Sequence, residues 1–241
     1  MLKLDTPILL LSAIPEEFIA IEKHLKTIKE NKLWHGFPCT EGTLFGKKVV
    51  TTISGLGKIS AAITCQQLIS LYHPRSVIVT GAAGALSPDL NVGDVIISRD
   101  TIQHDVDITT FGYPRGTIAV TMRDNMIWRI FIADKTLRKL ALKAKSAKHA
   151  IREGRILTGD QFITVSHRKE FDYLTRELHG DAVDMEGAAI AQTCYANKTP
   201  FVIIKTISDK ANDTATQDFN KVKTTITHNS LVVIKAILQS L

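Results

Sequence analysis

Between Pro7 and Ile14 the chain reads PILLLSAI, a run with almost no polar interruption. A strand with one wet face alternates apolar and polar residues, whereas a continuous run fits a strand covered on both faces. That requirement restricts the fold more than any other feature, because a sheet buried on both sides is packed between helices. The rest of the chain keeps to the same rhythm. KKVVTTISG (47–55) reads as a second strand, and ISAAITCQQLISLYH (59–73) has helical spacing and stops before Pro74. SVIVTGAAGAL (76–86) is a strand ending in a glycine turn, and VGDVIIS (92–98) is a strand after a turn. GDAVDMEGAAIAQTCYANKTP gives strand, helix and stop, FVIIKTISD (201–209) a last buried strand, and 221–241 an amphipathic helix. The expected fold is α/β, a central mixed sheet flanked by helices.

With 241 residues, 44% hydrophobic and 22% charged, the chain can bury one large core. No linker, repeat or low-complexity segment divides it, so 1–241 is expected to be a single domain. Asp5 and Pro7 come early, and the apolar run Ile8–Leu11 is short, unlike a secretory leader. No stretch is long and apolar enough to span a bilayer, so no membrane association is expected. The net charge of +6 thickens in KTLRKLALKAKSAKHAIREGR (135–155), where Leu137, Leu140 and Ala141 follow a helical period. Without interleaved aromatics this reads as a solvated face, and no nucleic-acid partner is expected. Cys39, Cys65 and Cys194 are odd in number and widely spaced, as in a reduced, cytoplasmic protein.

In open α/β sheets ligands bind beyond the carboxyl ends of strands. Those ends carry Ala13-Ile14-Pro15-Glu16-Glu17, Ser54-Gly55-Leu56-Gly57-Lys58, Thr80-Gly81-Ala82-Ala83-Gly84 and Ser208-Asp209, while Glu186 opens a helix. Each has a plain alternative. Glu16 and Glu17 can cap a helix, Glu186 can complement a helix dipole, and Asp209 can pair with Lys205 or Lys210. Neither glycine turn has the spacing of a phosphate loop or a dinucleotide fingerprint. Taken together, three carboxylates around a small-residue floor, with no arginine cluster, suit a neutral polar ligand.

The strings SAIPEEF, SGLGKISAA, TGAAGALSPDLNVGDVIIS, HDVDITTFGY, TGDQFI, VDMEGAAIAQ and IKTISDKAND occur in this order. Together they resemble the 5′-methylthioadenosine/S-adenosylhomocysteine nucleosidases of the nucleoside phosphorylase family, from about residue 8 to residue 213. The resemblance implies one α/β domain around a barrel-like mixed sheet, a homodimer, no cofactor and no metal, and hydrolytic release of adenine. It implies that Asp209, oriented by Ser208, protonates N7 of the base, and that Glu17 activates the attacking water. Glu186 would hold the ribose hydroxyls beside Met185. Ala83 and Gly84 would form the floor under the purine, Phe162 would stack on it, and Ile163 would offer it backbone groups. Leu56 and Phe111 of the partner subunit would line the slot for the 5′ substituent.

Three departures fall near that slot and behind the acids. Asp184 stands where glutamate is usual, Lys205 where arginine is usual, and residues 114–119 differ from the usual tyrosine-bearing loop. Altered 5′ recognition would suit the related hydrolysis of aminofutalosine. Phosphorolysis is disfavoured, because Glu16 and Glu17 occupy the place where a phosphate dianion needs arginine. Retention of a water-activating acid argues against a mere nucleoside-binding protein. His104-Asp105-Val106-Asp107 reads either as cation ligands or, from its alternation, as a half-exposed strand.

Overall fold

The computed structural model describes residues 6–34, 36–121, 126–165, 169–222 and 226–241. Its strands are β1 (Ile8–Ser12), β2 (Lys26–Lys32), β3 (Pro38–Leu44), β4 (Lys47–Ile53), β5 (Ser76–Ala85), β6 (Val95–Gln103), β7 (Ile118–Thr121), β8 (Met126–Trp128), β9 (Phe131–Ile132), β10 (Ile151–Thr158), β11 (Ala182–Asp184) and β12 (Phe201–Asp209). Its helices are α1 (Ile19–Glu22), α2 (Lys58–Tyr72), α3 (Lys135–Ala141), α4 (Tyr173–Arg176), α5 (Gly187–Ala196), α6 (Ala215–Val222) and α7 (Ile226–Ser240).

β1 is buried along its whole length, and its residues divide between two cores. Leu9 and Leu11 pack with Ala61, Cys65 and Leu68 of α2 and Ile190 and Cys194 of α5. Ile8 and Leu10 pack with Leu137 of α3 and Val233, Ile234 and Ile237 of α7. The period of two in a strand sends neighbours to opposite faces, so a run apolar at every position commits the sheet to helices on both sides.

The sheet closes on itself. β5 pairs with β12, β12 with β6, β6 with β10, β10 with β11, and β11 returns to β5 through Ala182↔Ala85 and Val183↔Gly84. This five-stranded barrel mixes parallel pairs (β5–β12, β6–β10, β10–β11) with antiparallel ones (β12–β6, β11–β5). From β5 the sheet extends outward through β1, β4, β3 and β2. Closure removes the unpaired edges that an open sheet would leave on this side.

Three expectations are corrected here. The basic stretch 135–155 is not one helix: α3 ends at Ala141 and β10 begins at Ile151. Arg152, Glu153 and Arg155 disguise the strand, and Arg155 is drawn inward by its ion pair with Asp100 (2.5 Å). The strand expected at 92–98 begins at Val95 and runs on to Gln103. Residues 104–107 form no strand, since the chain turns after Gln103. The expected C-terminal helix at 221–241 is present as α7 from Ile226 to Ser240, and residues 223–225 lie outside the described residues.

Candidate active site

The ends of β1, β4, β5, β10, β11 and β12 surround a cavity of about 430 Å³. Glu17, Glu186 and Asp209 all line it, although they are far apart in sequence. Ala83, Gly84, Phe162, Ile163, Met185, Ser208 and Leu56 line it too. Phe111 does not: it sits on a single turn at Thr109–Phe111, 69% exposed, with its ring free of this chain's cavity.

Glu17 rides on the short turn Pro15–Phe18 that follows β1. Its Oε2 accepts from the Ala13 (2.8 Å) and Ile14 (3.4 Å) amides, and its Oε1 from the Ala82 amide (2.8 Å). Capping and cavity lining are therefore the same arrangement. Gly81 permits it: its φ is +150°, and a Cβ there would lie 2.7 Å from Oε1. Burial raises the Glu17 carboxyl above its usual range, against the opposing pull of Lys205 and the three amides.

Glu186 stands at the start of α5 but makes no capping bond to that helix. Asp184 does so instead, accepting from the Gly187 amide at 3.1 and 3.2 Å. Glu186 is thereby free for the cavity. Its Oε1 accepts from the Gly57 amide at the head of α2 (3.0 Å), and its Oε2 lies 3.6 Å from Lys205 Nζ. Burial pushes its carboxyl up to about 7, with Lys205 pulling it down and Asp184 pushing it further up.

Asp209 owes its geometry to an irregularity in β12. Ile207 pairs with Ala83 and Asp209 with Gly84, so Ser208 is an extra residue in the ladder. Such bulges re-aim side chains at the ends of strands. Here Ser208 Oγ donates to Asp209 Oδ2 (2.7 Å), and Asp209 Oδ1 accepts from the Ala211 amide (2.8 Å). Burial raises the Asp209 carboxyl, and these two donors only partly offset it. The ion pairs considered for it do not form: Lys210 Nζ bonds the Leu90 carbonyl, and Lys205 turns to Asp184 and Glu186.

Lys205, 1% exposed, is the cation behind the acids, 3.0 Å from Asp184 Oδ2. Burial opposes its charge, but Asp184, Glu186 and Glu17 outweigh burial and raise its pKa. Asp184 is further held by Thr158 Oγ1 (2.6 Å). The shorter acid and the unforked cation thus still meet. Removing one partner of a buried pair costs about 3–5 kcal/mol. Lys205→Met is accordingly expected to lower the unfolding midpoint by several degrees and to move the acid limb of the pH–rate profile to higher pH. The direction follows because Glu186 loses the cation that favours its ionised form; an unmoved acid limb would separate Lys205 from Glu186.

One wall was not legible beforehand. Thr216, Phe219 and Asn220 of α6 close the side of the cavity lined by Phe162, where Phe219 meets Phe162 edge-on with centroids 6.2 Å apart. Ala215 and Phe219, four apart, were the available signal in a polar stretch. The polar side chains from His104 to Asp107 are engaged with other residues of the chain. Asp105 pairs with Lys58, Asp107 with Arg115 and Thr109, and the His104 ring with Tyr173 Oη at 3.0 Å.

The sequence matches the family model described as the phosphorylase superfamily over residues 7–240. It is 38% identical over 208 residues to the 5′-methylthioadenosine/S-adenosylhomocysteine nucleosidase of Shewanella pealeana, covering 86% of this chain and 87% of that one. The chain belongs to the phosphorylase superfamily, among these nucleosidases. Two solved structures are similar throughout. The Neisseria meningitidis nucleosidase in complex with methylthio-immucillin-A superposes with a TM-score of 0.90 at 33% identity, covering 98% of this chain and 100% of that one. The futalosine hydrolase of Helicobacter pylori gives 0.88 at 28% identity, covering 98% and 99%. The closed mixed barrel described above is the nucleoside phosphorylase-like fold of that superfamily.

Proposed function

We propose that this cavity binds an adenine nucleoside carrying a thioether at C5′ and hydrolyses its N-ribosidic bond. The chain is an N-glycosyl hydrolase that acts on 5′-methylthioadenosine and S-adenosylhomocysteine, as its curated relatives are named. The observation that carries this reading is the cavity wall itself. It bears four buried carboxylates, Glu17, Asp184, Glu186 and Asp209, and no lysine or arginine is among the described residues that line it. A phosphate dianion would be repelled there, whereas water activation and a cationic sugar both call for acids.

In this mechanism Asp209, whose carboxyl burial shifts toward the protonated form, gives its proton to N7, so the base leaves neutral. Ser208 fixes the carboxyl through the bond to Oδ2. Glu186 accepts from the ribose hydroxyls and lies beside the positive charge that builds on the sugar. Glu17, anchored on three backbone amides, takes the proton of the attacking water. Met185 bounds the ribose, Phe162 and Phe219 bound the purine over Ala83 and Gly84, and Ile163 offers backbone groups. Leu56, 63% exposed, borders the 5′ end.

That end is open to solvent in a single chain. Beside Leu56, the outward positions Ile59 and Ile63 of α2 are exposed, and Phe111 is exposed as well. Exposed apolar groups that adjoin one another mark an association surface. The reading is a homodimer in which Phe111 of the partner subunit closes the slot; sedimentation at the mass of one chain would remove it. No helix of the described residues is long and apolar enough to cross a membrane. Three buried free thiols support a cytoplasmic setting. Purified protein offered 5′-methylthioadenosine, S-adenosylhomocysteine, deoxyadenosine and aminofutalosine side by side tests the substrate. The first two are expected to give the highest kcat/KM, and preference for aminofutalosine would transfer the reading to the futalosine-type hydrolases.

A further inference from the structure

Three strand exits meet outside the cavity in a ring of reciprocal bonds. Lys58 Nζ, on α2 just after β4, lies 2.6 Å from Asp105 Oδ1, on the turn after β6. Asp105 Oδ2 accepts from the Asp160 amide (2.9 Å), on the turn after β10. Asp160 Oδ1 accepts from the Lys58 amide (2.8 Å) and closes the ring. Each corner adjoins a different part of the cavity. Gly57, beside Lys58, donates to Glu186 on the ribose side, and Gln161, Phe162 and Ile163, after Asp160, form the purine side. Gly57 has a φ of +85°, and a Cβ there would come within 3.0 Å of Asp160 Oδ1, so glycine allows the two turns to close up.

We propose that Asp105 is a positioning residue that bridges Lys58 and the Asp160 amide and so fixes the spacing between the ribose and purine walls. An exposed ion pair alone contributes little. This one differs in two ways. Two of its three bonds end on backbone amides, so the carboxylates hold chain rather than flexible side-chain tips. The stub that carries Asp105 is also fixed: His104 is fully buried, packs against Gly159 and bonds Tyr173, while its own amide donates to the Thr158 carbonyl (2.9 Å). The titratable groups facing Asp105 are Lys58 and His104, and burial lowers the pKa of the His104 ring to about 4. Although burial alone would raise the Asp105 carboxyl, Lys58 and the Asp160 amide hold it below its usual range.

A spacer of this kind matters only for a ligand that touches both walls. The inference rests on the nucleosidase reading, and its test is chosen to be separable from it. Calorimetric titration with adenine, which uses the purine wall, and with formycin A, a C-nucleoside that spans both walls and has no cleavable N-ribosidic bond, reads the two cases. In Asp105→Asn and Lys58→Met, adenine affinity is expected to stay within about twofold, while formycin A weakens by about tenfold, the order expected when positioning is lost. Lys58→Arg, which can still reach Asp105, is expected to restore formycin A binding. If Asp105→Asn fails to fold, Lys58→Met carries the same comparison. Equal weakening of both ligands, or weakening of neither, would overturn the proposal. A parent protein that binds both ligands yet releases no adenine from 5′-methylthioadenosine would instead overturn the nucleosidase reading.

Discussion

Asp209→Asn is expected to lower kcat by about 10²–10⁴-fold, the usual worth of a general acid, while the nucleoside still binds with nearly unchanged affinity. The geometry makes the split specific. An asparagine Oδ1 still accepts from the Ala211 amide, and the Ser208 hydroxyl can rotate to accept from the new amide group, so the bulge at the end of β12 keeps its bonds. The amide can also donate a hydrogen bond to N7, which preserves binding, but it has no proton to transfer. Loss of turnover and retained binding are therefore expected in the same variant. Full activity would remove Asp209 from the acid role, and lost affinity alone would make it a binding group.

Glu17→Gln is expected to produce a loss of similar size by a different route, again about 10²–10⁴-fold in kcat. Both oxygens of Glu17 face backbone donors, Ala13 and Ile14 on one and Ala82 on the other. A glutamine must point its NH₂ at one of these amides. One buried donor is then left without an acceptor, at a cost of about 1–3 kcal/mol. Reduced turnover should thus come with a lower unfolding midpoint, unlike Asp209→Asn. Turnover close to the parent's would show that water is activated elsewhere.

What could be read beforehand follows from how far each signal is local. PILLLSAI fixes a doubly covered strand because every position is apolar, and the division of Leu9 and Leu11 from Ile8 and Leu10 between two cores follows from strand geometry. β10 was hidden, since Arg155 is apolar neither in pattern nor in character and is drawn partly inward by Asp100 opposite it. No local signal announces such a partner on another strand. The same holds within the site. That Asp184 rather than Glu186 caps α5 depends on Thr158 and Lys205, and Ser208 is placed by a bulge that exists only in the β5–β12 ladder. Phe219 was missed because α6 is otherwise polar. By contrast, Glu17 and Asp209 could be found at strand ends, where chemistry collects in α/β folds, and Glu186 at the start of a helix.

The account depends most on water, not phosphate, taking the sugar from adenine at a centre ringed by acids. Turnover of 5′-methylthioadenosine in phosphate-free buffer made with H₂¹⁸O, followed by mass spectrometry of the sugar quenched before anomeric exchange, measures this directly. One ¹⁸O on C1 of an unphosphorylated methylthioribose, at a rate indifferent to added phosphate, is the predicted result. A rate near zero without phosphate, with sugar 1-phosphate appearing when it is supplied, would contradict it.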